Sequence, residues 1–265
     1  MASDTDVQAW LDLALACCDE ADAIALTSFR RDVVVDRKPD QSFVTAADRG
    51  VEELTRTRIR ERYPDHGLVG EEYGEEAAGA SVRWYIDPID GTHNFVRGVP
   101  VFATLLAVEH DGEVQVGVMS APALGERWWA HRDGGAWAAT RGGRPRRLHV
   151  SAVTRLEDSQ LLYDSPLDIE ASGLAPGFHG LLERAWRDRG FGDFWGHALV
   201  AEGAAEAMIE VGVKSYDLAA PLVIVEEAGG RLTDLAGRRD IHAGSVLASN
   251  GSLHDSLLEV LRGTV

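Results

Sequence analysis

The stretch Trp84-Tyr85-Ile86-Asp87-Pro88-Ile89-Asp90-Gly91-Thr92-His93-Asn94-Phe95 runs from an apolar segment into two carboxylates, a proline and a glycine. The apolar residues read as a buried strand that ends at Asp87, where Pro88 fixes the bend. Asp90 follows three residues on, so both carboxylates can face one side with the Ile89 carbonyl between them, giving three oxygen ligands from four residues. Gly91 permits close approach of the backbone, and Thr92-His93-Asn94 can open a helical turn whose free N–H groups face a phosphate. For an Asp-Gly pair taken alone, turn propensity explains the residues equally well.

Downstream, strand-like runs at 102–108, 114–119, 128–130 and 136–138 are separated by Asp111-Gly112 and Gly134-Gly135, which predicts an antiparallel meander. Upstream, residues 7–29 predict a helix. Thr45 and Asp48 fit a capping box opening a second helix to about Tyr63, with Pro64-Asp65-His66-Gly67 ending it. Beyond Ser151, strand-like runs at 160–163, 207–210 and 245–248 alternate with helical ones at 178–189, 216–228 and 253–262. Pro221 is read near the start of the second of these helices, and Gly229-Gly230 as its stop. No linker separates the halves 1–150 and 151–265, so alternating helix and sheet layers packed as one body are expected, of mixed α+β and α/β class.

Composition narrows the function. With 45% hydrophobic and 26% charged residues the 265-residue chain is an ordinary globular protein, with no apolar run long enough to span a bilayer. Cys17 and Cys18 are adjacent, poor geometry for a disulfide, and a reducing cytoplasm is the expected compartment. A net charge of -17 argues against nucleic acid and, equally, against unassisted binding of a small phosphate. Carboxylates that hold divalent cations remove the second objection, because a bound Mg2+ inverts the local sign. Asp48, Glu71-Glu72, Asp87 with Asp90, and Asp217 each fall at a junction between a regular element and a turn, where side chains converge on pockets. Hard cations such as Mg2+ take such oxygen ligands. Asp48 also reads simply as a helix cap. No Walker loop, Cys nucleophile signature or His-Glu-x-x-His helix is present.

The ordered blocks Val44-Thr45-Ala46-Ala47-Asp48, Gly70-Glu71-Glu72, the opening run to Phe95, and Tyr216-Asp217-Leu218-Ala219-Ala220 resemble the inositol monophosphatase family over nearly the whole chain. The resemblance implies a layered αβαβα sandwich, Mg2+ (two, possibly three ions), Li+ as inhibitor, and a homodimer. It makes Glu71, Asp87, the Ile89 carbonyl, Asp90 and Asp217 metal ligands, with Asp90 and Asp217 also facing the substrate. It puts the phosphate on Gly91 and Thr92, has Asp48 bind an outer metal or its waters and, with Thr92, help orient the attacking water, and makes Glu71 the residue that polarises that water on its metal. Glu72 is supporting or solvent-facing. A fold-retaining but catalytically silent binding protein is the alternative of another class; it would lack one or more of these acids, and none is missing.

Within the family, Lys38-Pro39-Asp40, residues 94–100, 120–124 and 127–130, Gly192-Asp193-Phe194-Trp195 and Val200-Ala201-Glu202-Gly203 resemble the bacterial histidinol-phosphatases. The resemblance sets Asp193 at the substrate end, where an anion favours a cationic substrate over a neutral polyol. Glu210 matches a substrate-binding acid and can hold an amine or a hydroxyl; Arg189 braces that wall or touches the substrate. Each has a plainer alternative: Asp193 as a cap for a helix from Phe194, Arg189 as a helix-end charge. His93, Tyr216 and the segment Tyr163-Asp164-Ser165-Pro166 depart from the pattern, standing where Lys, Trp and a hydroxyl-rich segment are usual. Inositol and sugar phosphates are the alternative substrates.

Overall fold

The computed structural model describes residues 3–31, 34–38 and 43–263; Pro39 and Asp40 of the Lys38 block lie outside them. The helices are α1 (Asp4–Ser28), α2 (Ala46–Arg62), α3 (Thr92–Val96), α4 (Pro166–Ile169), α5 (Ala175–Arg184), α6 (Asp193–Ala201), α7 (Ser215–Glu227) and α8 (His254–Leu261). The strands are β1 (Val35–Arg37), β2 (Phe43–Thr45), β3 (Gly67–Gly70), β4 (Gly74–Glu76), β5 (Val82–Asp90), β6 (Ala103–His110), β7 (Glu113–Ala121), β8 (Glu126–His131), β9 (Gly135–Thr140) and β10 (Arg146–Arg147). In the second half they are β11 (Gln160–Tyr163), β12 (Arg187–Arg189), β13 (Ala207–Val211), β14 (Arg231–Thr233) and β15 (Ser245–Ser249).

The meander is present: β5 to β10 pair in sequence order, each antiparallel to the next, in an eight-stranded sheet extended at its other end by β3 and β4. Strand alternation sends the two faces of this sheet to different cores. Trp84, Ile86, Leu106, Val108, Val116 and Val118 pack under α1, whose buried stripe Trp10, Leu11, Ala14, Cys17 and Cys18 repeats at helical spacing. Tyr85, Leu105, Ala107 and Met119 face the opposite way, onto α6 and α7. Those two helices share their core with Leu162, Met208, Val246 and Ala248 of the second, five-stranded sheet, ordered β12-β11-β13-β15-β14. Its far side, Leu161, Ile209 and Leu247, packs on α5 and α8. The result is the five-layered αβαβα sandwich. Both cysteines are buried and free, and among the described residues no helix is long and apolar enough to cross a membrane.

Two sequence expectations are corrected. The helix expected to 189 ends at Arg184, where Ala185 turns extended (φ −69, ψ 150) and residues 187–189 join β11 as a parallel edge strand. No Gly or Pro marks that stop; sheet pairing wins over helical propensity. Pro221 is interior to α7 rather than near its start. Its missing N–H leaves the Asp217 carbonyl without the usual helical donor.

Candidate active site

The predicted acids converge because of how three elements end. Strand β3 is parallel to β5, with Gly70 opposite Ile86, so Glu71 and Asp87 leave adjacent strands side by side at their carboxyl ends. The Glu71 N–H donates to the Ile86 carbonyl at 3.2 Å. In a regular strand Asp87 and Asp90, an odd number apart, would point to opposite faces. Here the register against β6 runs Asp87↔Leu105 and then Asp90↔Ala103, three steps against two. That bulge at Pro88-Ile89 turns both carboxylates to one side, and the Thr104 hydroxyl satisfies the Pro88 carbonyl at 2.8 Å.

Asp48 enters from the start of α2. The capping box is formed: the Thr45 N–H donates to Asp48 Oδ2 at 2.8 Å, and the Thr45 hydroxyl bonds the same oxygen at 2.5 Å. The second oxygen, Oδ1, accepts from the Thr92 hydroxyl at 3.3 Å; that hydroxyl also lies 2.9 Å from the Ile89 carbonyl. Asp48 is therefore a helix cap whose second oxygen reaches Thr92, a residue that lines the site cavity. Asp217 sits in the first turn of α7, where its Oδ2 accepts the Lys214 N–H at 2.7 Å.

Asp87, Asp90, Glu71 and Asp217 share a wall of one cavity of about 220 Å3, which Gly91, Thr92, His93, Asp193, His197 and Glu210 also line. Among the described residues, no Lys or Arg lines it. Burial, and then repulsion among the acids, holds the Asp87 and Asp90 carboxyls well above the usual range. Burial lifts Asp217 to about 6 against the lowering pull of the Lys214 N–H. Asp87 Oδ1 is buried without a hydrogen-bond partner. Oxygen donors alone, mutually repelling and with an orphaned carboxylate oxygen among them, fit a hard divalent cation. Lys38 caps this cluster from the side, its Nζ 2.7 Å from Glu71 and 2.6 Å from Glu72.

The turn after β3 is clamped from beneath. Buried Glu52 accepts the N–H groups of Glu72 (2.7 Å) and Tyr73 (3.2 Å) and pairs with Arg56 at 2.8 Å. A Cβ on Gly70 would fall 1.9 Å from Glu52 Oε1 and 2.8 Å from Arg56 Nη2. Gly70→Ala is therefore expected to lower unfolding stability by about 1–3 kcal/mol, read from urea melts. An unchanged midpoint would show that the clamp yields freely.

At the far end, Asp193 opens α6 at φ +55, a strained value for a residue with a side chain. No side-chain capping bond accompanies it; its Oδ2 instead lies 3.3 Å from Asn94 Nδ2 and would lie 3.3 Å from a Cβ on Gly91. The next residue's N–H, of Phe194, donates to Asp90 Oδ2 at 2.6 Å, tying this end of the cavity to the acid cluster. Glu210 stands on β13, buried, with burial the main reason its carboxyl is raised. Arg189 is elsewhere: it lies on the edge strand β12, its Nη1 bonds the Asp188 carbonyl at 2.6 Å, and the cavity walls do not include it.

The profile of the inositol monophosphatase family matches residues 6–264. The chain belongs to the inositol monophosphatase family. A histidinol-phosphatase of Mycobacterium tuberculosis is 47% identical over 249 residues, 94% of this chain and 96% of that one. A histidinol-phosphatase of Streptomyces coelicolor is 45% identical over 256 residues, 95% and 96% of the two chains. Among solved structures, an inositol monophosphatase (IMPase) of Thermotoga maritima superposes with TM-score 0.84 at 31% identity, covering 96% of both chains.

In this inositol monophosphatase family member, His93, Asp164 and His197 are the titratable cavity residues that the sequence reading did not assign to the site. Asp164 follows the last residue of β11, and His197 lies one turn into α6. Asp164 had a signal, an acid at a strand end like Asp87. His197 had none, since helical spacing makes it indistinguishable from a core histidine.

Proposed function

We propose that the protein is a Mg2+-dependent phosphomonoesterase whose substrate is histidinol phosphate. The observation that carries this reading is the cavity itself, lined by the acids Glu71, Asp87, Asp90 and Asp217, with the orphaned Asp87 Oδ1 among them, together with the further carboxylates Asp193 and Glu210. The names carried by the Mycobacterium and Streptomyces relatives support the substrate.

In this reading Glu71, Asp87, the Ile89 carbonyl, Asp90 and Asp217 would hold the metal. Bound there, Mg2+ supplies Lewis-acid polarisation of phosphoryl oxygens and a lowered pKa for a water. The chain does the positioning. The first turn of α3 leaves its N–H groups free of helical partners, since the first such bond runs from Phe95 N to the Gly91 carbonyl; Gly91 and Thr92 can then hold the phosphoryl group in line. The Thr92 hydroxyl has one proton and two acceptors, Asp48 Oδ1 and the Ile89 carbonyl. When that proton goes to Asp48, the hydroxyl's lone pairs accept from the attacking water and fix its direction. Asp48 is suited to this because its other oxygen is already committed to Thr45. Asp193 and Glu210 face the leaving alcohol and its amine.

Phosphate release with Mg2+ should be assayed against histidinol phosphate, inositol 1-phosphate, a sugar phosphate and a nucleoside 3'-phosphate. A kcat/KM for histidinol phosphate at least about tenfold above the rest is expected, the size of one charge-assisted contact. Preference for inositol or sugar phosphate would overturn the substrate, and no turnover of any ester would overturn the phosphatase.

A further inference from the structure

Two of the positions at which the sequence departs from histidinol-phosphatases, His93 and Asp164, line the same cavity. The carboxylates of Asp164, Asp193 and Glu210 come together with ligand oxygens all within 4.8 Å of one another. Space for this is built in: a Cβ on Gly192 would stand 2.1 Å from Asp164 Oδ1. Behind the cluster, His197 is 1% exposed, and neither of its ring nitrogens has a hydrogen-bond partner; Nε2 lies 3.5 Å from Glu210 Oε2. A buried imidazole without a hydrogen-bond partner among the described residues, lining a cavity, is a polar group that a bound ligand or an ordered water can satisfy.

The spacing suits an ammonium group. Oxygens about 2.8 Å from a tetrahedral nitrogen stand about 4.6 Å apart, inside the 4.8 Å limit that the three carboxylates keep. Burial and the neighbouring Asp168 lift the Asp164 carboxyl, and His93 pulls it back. We infer that Asp164 is a specificity-determining residue, the third carboxylate of a cage, with Asp193 and Glu210, that holds the protonated amine of an amino-alcohol phosphate. The inference rests on the phosphomonoesterase reading and deepens it: the charge at Asp164 selects cationic esters over neutral ones.

Asp164→Asn and Asp164→Ser test it. The ratio of kcat/KM for histidinol phosphate to that for glycerol 2-phosphate, a neutral-alcohol ester, should fall about tenfold, with the change in KM. The inhibition constant of free histidinol against glycerol 2-phosphate hydrolysis should rise by a similar factor. Equal losses on both esters, or an unaltered ratio, overturn the inference. So does a changed Mg2+ dependence with unchanged histidinol affinity, which makes the trio a metal site. If wild-type enzyme hydrolyses glycerol 2-phosphate and is inhibited by histidinol yet leaves histidinol phosphate intact, the substrate assignment fails while the cage stands. If no ester is hydrolysed, calorimetric titration of wild type and Asp164→Asn with histidinol still decides the cage, a tenfold loss supporting it and equal affinity ending it.

Discussion

Asp90→Asn is expected to lower kcat by about 10^3-fold while leaving the fold intact. The carboxyl of Asp90 is crowded by Asp193 and Asp217 and raised well above its normal range, first by burial. It holds a charge there only if a cation compensates it. Asn keeps the shape and an oxygen to accept the Phe194 N–H, now made at 2.6 Å, so the bulge and the start of α6 stay in register. What disappears is one negative charge in the metal set. Losing several kcal/mol of charge stabilisation in the transition state corresponds to about three orders of magnitude in rate. Steady-state turnover at saturating Mg2+ gives the rate, and the rise in Tm on adding Mg2+, which should shrink in the variant, gives the metal independently of catalysis. Turnover like wild type would remove Asp90 from the metal set. A collapsed Tm without metal would mean the carboxylate serves the fold.

How much of this was legible in the sequence follows from the range of the interactions involved. The capping box of Thr45 and Asp48 is local, spanning four residues, and it is formed as read. The meander is written in short turns between alternating runs and is also present. Strand β3 was not readable: Gly67-Leu68-Val69-Gly70 has no alternation of its own, and its partner β5 lies beyond β4 in a parallel register. Yet β3 is what sets Glu71 beside Asp87. The motif named the acids that line the cavity without revealing the strand that aligns them. Asp164 and His197 illustrate the same limit at the substrate end, since each acquires meaning only from Asp193 and Glu210 on other elements. Arg189, which the resemblance has bracing that wall or touching the substrate, lies on the edge strand β12 and not among the residues that line the cavity. Convergence of the motif acids was readable; the strand pairing that produces it, and the residues that join them from outside the motifs, were not.

Without metal, the protein should lose stability as pH rises from 6.5 to 8.5, and Mg2+ should abolish the loss. The sign follows from the buried carboxyls. Asp193 is lifted to about 7, chiefly by burial and then by Asp164, and Asp87, Asp90 and Glu210 are raised well above their normal range. In the unfolded chain all titrate near 4. Across this window the native state therefore binds more protons than the unfolded one, and stability falls with pH. Below 6.5 the slope is diluted by His197 and His254, both pushed by burial to about 4. Each has a folded value below its unfolded one, so its share of stability is present above about 6.5 and is lost as pH falls. Above 6.5 the histidine contribution fades as the unfolded imidazoles lose their protons, and towards 8.5 the buried Cys17 and Cys18 thiols, pushed up by burial, add to the loss in the same sense as the carboxyls. A carboxyl that keeps its proton over two pH units after the unfolded chain has lost its own costs about 3 kcal/mol. For a chain of this size that corresponds to roughly 6–12 °C in Tm. Since Mg2+ binds the deprotonated carboxylates, its addition should release protons and raise Tm more at pH 8.5 than at 6.5. Thermal melts in chelator and in excess Mg2+ at the two pH values test this: a metal-free Tm that holds or rises with pH, or a Mg2+ shift of equal size at both, would show that the acid cluster is not held together by a cation.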